Sequence, residues 1–152
     1  MLSAWRLVKH RYLAHAWDGE GARQYGGRWN SPGVPVVYTS ETLALALLEV
    51  LVRLQSTRVL HGYSAVRCEF DEALMRSVDV SGLPAGWERS PAPPELAAIG
   101  DEWAASAPSP VLRVPSAVVP LEHNYLFNPH HPQFGAIRLS EPTPFPIDPR
   151  LR

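Results

Sequence analysis

Residues 34–54 read VPVVYTSETLALALLEVLVRL, a short β-branched run leading at once into the one long helical pattern in the chain. Residues 34–40 are expected to form a strand, because valine, tyrosine and threonine fit a pleated, half-buried surface. From Glu41 to Leu54, leucine, alanine and valine recur without a breaker, and this segment is expected to be a helix with Thr39 or Ser40 as N-cap and Glu41 in its first turn. Tyr38 ends the strand, where strand and helix meet. A ring there either forms a pocket wall or packs in the core with its hydroxyl at the surface.

The helix carries a single polar stripe. At about 100° per residue with Glu41 as zero, Glu49 falls near 80°, Thr42 near 100° and Arg53 near 120°. Two arrangements fit this pattern. If the stripe faces water, Glu49 and Arg53 form an i,i+4 pair in the favourable order, contributing at most about 0.5 kcal/mol. If it faces a cleft, Glu49 places a carboxylate between Leu48 and Val50 beside a partly dry pocket.

Just upstream, residues 26–33 read GGRWNSPG and surround Arg28 with Gly26, Gly27, Pro32 and Gly33. Glycines let backbone approach a ligand closely, and a guanidinium offers a planar fork of donors to phosphate or carboxylate. The alternative is an exposed arginine stacked on Trp29. No phosphate-loop or dinucleotide fingerprint is present.

All of the 16 prolines except Pro32 and Pro35 lie from Pro84 onward, so the second half is built from short strands and ordered loops. AWRLVKHRY (4–12) reads as a strand, and GYSAVRCEF (62–70) as another whose Ser64, Val66, Cys68 and Phe70 turn inward. Around Pro94 to Ala105 a short helix is expected, since Leu96, Ile99 and Trp103 recur at helical spacing and, with Trp87, are too apolar for a solvated tether. VLRVPSAVVP (111–120) reads as two short β pieces bent at Pro115, HNYLFNPHHPQF (123–134) as an irregular aromatic loop, and GAIRLSEPTPFPI (135–147) as a terminal strand. The class is α+β with one central helix.

Other reactive side chains carry weaker patterns. Ser116 follows Pro115 without a G-x-S-x-G elbow, so it is no hydrolase nucleophile. His123, His130 and His131 lack the spacing of a metal site, and Asn124 and Asn128 are residues that commonly cap turns.

At 152 residues the chain is expected to be one domain, able to bury roughly 70% of its unfolded surface. Its net charge of -1 gives no field for nucleic acid or an anionic membrane, although every basic residue except Lys9 is arginine. The lone Cys68 excludes a disulfide framework, and the apolar run Leu43 to Val52, broken by Glu49, is short of the ~20 residues of a membrane span. With no signal-peptide region at the N-terminus, a soluble cytoplasmic protein is expected.

WRL (5–7), GGRWNSPGVPVVYTSETLALALLEVL (26–51), LPAGWERSPAPPELAAIGDEWAASAPSPVLRVPSAVVP (83–120) and EHNYLFNPHHPQF (122–134) together resemble the RES-domain family, toxins of bacterial RES–Xre toxin–antitoxin pairs. The resemblance spans nearly all of residues 1–152. The arginine, glutamate and serine that name the family fall on Arg28, Glu49 and Ser116, and its associated tyrosine on Tyr38.

This resemblance implies a small split β core with flanking helices, similar to ADP-ribosyltransferase toxins, and a cleft that holds NAD as substrate. It implies breakage of the nicotinamide–ribose bond by hydrolysis or by phosphorolysis with inorganic phosphate, or transfer of ADP-ribose to a protein. It also implies an Xre-family antitoxin that binds DNA and blocks the cleft, and a homodimer of toxin within the hetero-oligomer. On this basis Glu49 is expected to stabilise the cationic ribose, Arg28 to clamp the pyrophosphate or ribose, and Tyr38 to wall the nicotinamide. Ser116 is expected to bond ligand or hold Glu49, with Arg6, Asn124 and Tyr125 lining the site. No metal is needed, because the leaving group is already a cationic pyridinium.

Overall fold

The computed structural model describes residues 1–54 and 61–151. Strand β1 (Leu2–Lys9) pairs antiparallel with β3 (Tyr63–Phe70) along its whole length, from Leu2↔Phe70 to Lys9↔Tyr63. By contrast, β1 touches β2 (Val37–Ser40) at the single pair Trp5↔Ser40. Beyond β2 come β6 (His123–Phe127), β5 (Val111–Pro115) and β4 (Met75–Ser77), while β7 (Arg138–Leu139) and β8 (Thr143–Phe145) both pair with β3. The sheet is thus an α+β core split between β1 and β2. Only β4 and β5 run parallel among the described pairs.

Among the described residues the α-helices are α1 (Glu20–Tyr25), α2 (Leu43–Leu51) and α3 (Pro94–Ser106). Ala46 of α2 packs with Leu7 and Ala65, whereas Leu96 and Trp103 of α3 pack with Trp29, Leu112, Val114 and Leu126. A separate apolar cluster joins Ala4, Val37, Cys68, Phe70, Tyr125 and Phe127, with Phe70 edge-on to both Tyr125 and Phe127. These contacts bury Ala65, Cys68 and Phe70 of β3 and the face of α2 that carries Ala46.

Several expectations are corrected. The α2 N-cap is Thr42, whose Oγ1 accepts from the Leu45 N–H at 3.0 Å, and Glu41 lies outside the helix with its Oε1 accepting from the His123 N–H at 2.8 Å. Thr39 and Ser40 are instead strand residues. The 123–134 segment begins with a central strand; histidine and asparagine at its head hide an alternation in which Tyr125 and Phe127 face one cluster and Leu126 the other. After Pro115 no second β piece forms, because the Ser116 hydroxyl accepts from the Val118 and Val119 N–H groups and closes a turn. The terminal strand is two pieces, with Pro144 tolerated in β8 at the sheet margin. The first strand ends at Lys9 and is followed by a 3₁₀ turn, His10–His15, without a buried residue. The Trp87–Trp103 region is ordered, as its apolar spacing predicts.

Candidate active site

Where β1 and β2 part, a cleft of about 970 Å³ opens, walled by Trp5–Leu7, Tyr38–Ser40, Glu49 of α2 with Arg53 just past its end, and the Gly26–Arg28 loop. Both Glu49 and Arg53 line it, so the stripe faces the cleft. Arg53 does not pair with the Glu49 carboxylate; its Nε donates to the Glu49 main-chain carbonyl at 3.0 Å.

The Glu49 carboxylate is held on one side. Its Oε1 accepts from Ser116 Oγ at 2.8 Å and from Asn124 Nδ2 at 3.0 Å, and among the described residues Oε2 has no hydrogen-bond partner. Ser116 is fully buried, donating to Glu49 while accepting two main-chain N–H groups, so its hydroxyl has a fixed orientation. Asn124 is fixed in turn, since Ser40 Oγ donates to its Oδ1 at 2.8 Å. A carboxylate with one oxygen anchored and the other beside a cleft suits binding sugar hydroxyls or facing a developing cation.

Tyr38 places its ring in the cleft wall and ties down its hydroxyl. The Oη donates to Asn30 Oδ1 at 2.5 Å and accepts from the Trp29 N–H at 3.1 Å. Burial pushes the hydroxyl well above the ordinary phenol range, so it serves as a neutral tether. Asn30 also donates to the carbonyls of Ala22 and Val34, shaping the loop that carries Arg28. A Cβ on Gly27 would stand 2.7 Å from Tyr38 Oη, which explains one glycine of the pair beside Arg28. From the other side, α3 clamps this loop: Asp101 Oδ1 accepts from the Ser31 N–H at 2.8 Å, and Gly100 lies directly against the Trp29 carbonyl.

Arg28 lines the cleft, but its Nη1 donates to the carbonyls of Trp87 and Arg89 at 2.9 and 2.8 Å. It therefore braces the Pro-rich 84–93 loop against the cleft and does not stack on Trp29, which is buried in the core. Arg6 reaches across the split and donates from Nη1 to the Tyr38 carbonyl at 3.0 Å, with its Nε buried and unpartnered. Burial, reinforced by the Arg53 charge, pushes its guanidinium down to about 10, still charged at neutral pH.

Glu49, Arg28, Tyr38, Arg6 and Asn124 thus share one cleft, with Ser116 directly behind Glu49. Tyr125 does not join them. Its alternation in β6 turns the ring into the core edge-on to Phe70, at a centroid separation of 5.3 Å. Sequence reasoning missed Asn30, which acts through hydrogen bonds within its own loop and to Tyr38, and Ser40, which acts through a long-range bond to Asn124; Asn30 directly after Arg28 and Trp29 was the one available signal. His131 is engaged with the Ala107 carbonyl and the Gln133 N–H, and Asn128 caps a turn at the His130 N–H. No group of His, Cys, Asp or Glu placed to hold a metal occurs among the described residues, and none of their helices is long and apolar enough to cross a membrane.

Comparison with known proteins gives a consistent picture. The family model for the RES domain matches residues 3–148. "Toxin Res" of Yersinia enterocolitica serotype O:8 is 39% identical over 149 residues, covering 97% of this chain and 98% of its own. The "Prs ADP-ribosylating toxin" of Sphingobium sp. is 36% identical, covering 98% and 96%. In fold, the chain is similar to a chain in the crystal structure of the M.tuberculosis MbcT-MbcA toxin-antitoxin complex, with a TM-score of 0.73 at 20% identity and coverage of 99% of this chain and 86% of that one. The split sheet fits the ADP-ribosyltransferase-like architecture, and by family model and near full-length relatives alike, this chain belongs to the RES-domain family.

Proposed function

We propose that this chain is a toxin that cleaves NAD at the nicotinamide–ribose bond, with Glu49 as the charged catalytic group. The observation that carries the reading is the Glu49 carboxylate, anchored through Oε1 by Ser116 and Asn124 and open on Oε2 to a cleft of about 970 Å³. That volume lies at the upper end of the roughly 300–1,000 Å³ of ligand pockets, as an extended dinucleotide requires.

When the C1′–N bond breaks, nicotinamide leaves with the bonding electrons and becomes neutral, while C1′ and the ring oxygen share a positive charge. Glu49 Oε2 stabilises that charge or holds the ribose hydroxyls beside it. Tyr38 offers its ring as the wall for nicotinamide, and Arg28 braces the 84–93 loop and turns its remaining donors to the nicotinamide-side ribose. Water or inorganic phosphate then attacks C1′, its proton passing to solvent or to a cleft base. NAD is a substrate here, so the reaction calls for no resident cofactor.

The same reading assigns an Xre-family antitoxin as partner and a homodimer of this chain within the complex. DNA contact falls to that partner, consistent with the net charge of -1. The cytoplasm, where NAD and such a partner occur together, is the proposed site of action.

A second reading is transfer of ADP-ribose to a protein, favoured by the 36% identical relative named an ADP-ribosylating toxin. Nicotinamide release by the purified chain, with and without inorganic phosphate, separates the acceptors. Free ADP-ribose as product supports hydrolysis, and its 1-phosphate supports phosphorolysis. Release seen only with an added protein that gains the mass of ADP-ribose supports the transferase, and no release under any of these conditions rejects NAD cleavage.

A further inference from the structure

Among the cations that line the cleft, Arg28 already donates through Nη1 to two main-chain carbonyls, whereas Arg6 and Arg53 are differently placed. Among the described residues neither Arg6 nor Arg53 forms an ion pair with a carboxylate, and Arg6 Nε is buried without a partner. The Arg6 guanidinium is buried with no carboxylate in ion-pair contact, which is costly to the free protein even though Glu20, Glu49 and Glu88 line the same cleft and Asp18 partly offsets its charge, and a bound anion relieves that cost. The Arg6 guanidinium is destabilised by burial and by the Arg53 charge, as expected of such an arrangement.

Position supplies the ligand class. Arg53 lies four residues after Glu49, just past the last residue of α2, and its Nε donates to the Glu49 main-chain carbonyl at 3.0 Å. In a nucleotide the 5′-phosphate hangs from C4′, a ribose's breadth from the anomeric carbon. With Glu49 at the anomeric end, the phosphates fall towards Arg53, and Arg6 reaches the same cavity through the sheet split.

Resting on the NAD-cleft reading above, we infer that Arg6 and Arg53 together form the subsite for the diphosphate of the dinucleotide. The Arg53 guanidinium is exposed and its loss removes one hydrogen bond to the Glu49 carbonyl, so Arg53→Gln is expected to fold. ADP-ribose, ADP, inorganic phosphate and nicotinamide riboside are titrated calorimetrically into wild type and Arg53→Gln. The inference predicts that the variant loses at least about tenfold in affinity for ADP-ribose and ADP, with nicotinamide riboside unaffected and Arg53→Lys restoring part of the loss. Equal ADP-ribose affinity in both proteins would overturn it, as would a loss confined to inorganic phosphate, which would make the pair an acceptor site. These titrations need no turnover: an Arg53-dependent ADP-ribose site in a chain that releases no nicotinamide would uphold the subsite and reject the cleavage reading.

Discussion

The Ser116 hydroxyl stands 2.8 Å from Glu49 Oε1 and donates to it while accepting from two main-chain N–H groups of its own turn. A residue 67 positions away in sequence thereby fixes the orientation of the carboxylate. Ser116→Ala removes that donor and leaves the Val118 and Val119 N–H groups without their acceptor. The expected cost is about 1–3 kcal/mol of stability in urea unfolding. A fall in kcat of about 10- to 100-fold, with KM little changed, is also expected, because the lost bond is to a charged group.

Arg28 joins the cleft to the 84–93 loop by two donated hydrogen bonds. Arg28→Ala should raise KM and speed amide hydrogen exchange across residues 84–93, with α2 and β3 unaffected. Unchanged exchange there would show that the loop is held by its apolar contacts alone.

Gly100 is the position where α3 lies on the backbone of the Trp29 loop, and a Cβ there would overlap the Trp29 carbonyl oxygen. Gly100→Ala must push α3 and the loop apart. A loss of about 1–3 kcal/mol or more, measured by thermal or chemical unfolding, is expected together with loss of activity, although no residue facing the cleft has changed.

Much of this arrangement was legible before folding. The strand–helix unit expected at residues 34–54 is seen in shortened form, as β2 (Val37–Ser40) and α2 (Leu43–Leu51), and apolar spacing foretold α3 within the Pro-rich half. The polar stripe of α2 was visible, but its direction was not: periodicity shows that Glu49 and Arg53 share a face, and only the split between β1 and β2 turns that face into a cleft wall. Tyr125 illustrates the opposite failure. It neighbours Asn124, yet strand alternation sends one side chain to Glu49 and the other into the core. Helix α1 carries no buried residue, so it left no apolar signature. The hydroxyl contacts of Ser40 and Ser116 cross long stretches of chain, and no local pattern encodes them.

Cys68 sits fully buried on β3, and burial pushes its thiol up from 9.0 to about 12. A raised pKa in the folded state means that the neutral thiol's contribution is complete below pH 9.0 and is lost as pH rises towards the folded value. Stability should therefore fall by about 1.4 kcal/mol from this group by one pH unit above its unfolded pKa. In urea titrations between about pH 8 and pH 10, Cys68→Ala should show a shallower decline than wild type, whatever its offset at neutral pH. Parallel profiles would mean that the thiol does not contribute to the alkaline loss.

The most direct test of the account is the rate of nicotinamide release from NAD by wild type and Glu49→Gln. Glutamine keeps the side-chain shape but replaces the open carboxylate oxygen with a neutral group. The account predicts release by wild type and a fall of at least about 100-fold in the variant, with its melting temperature close to that of wild type. Equal release by the two proteins would contradict it.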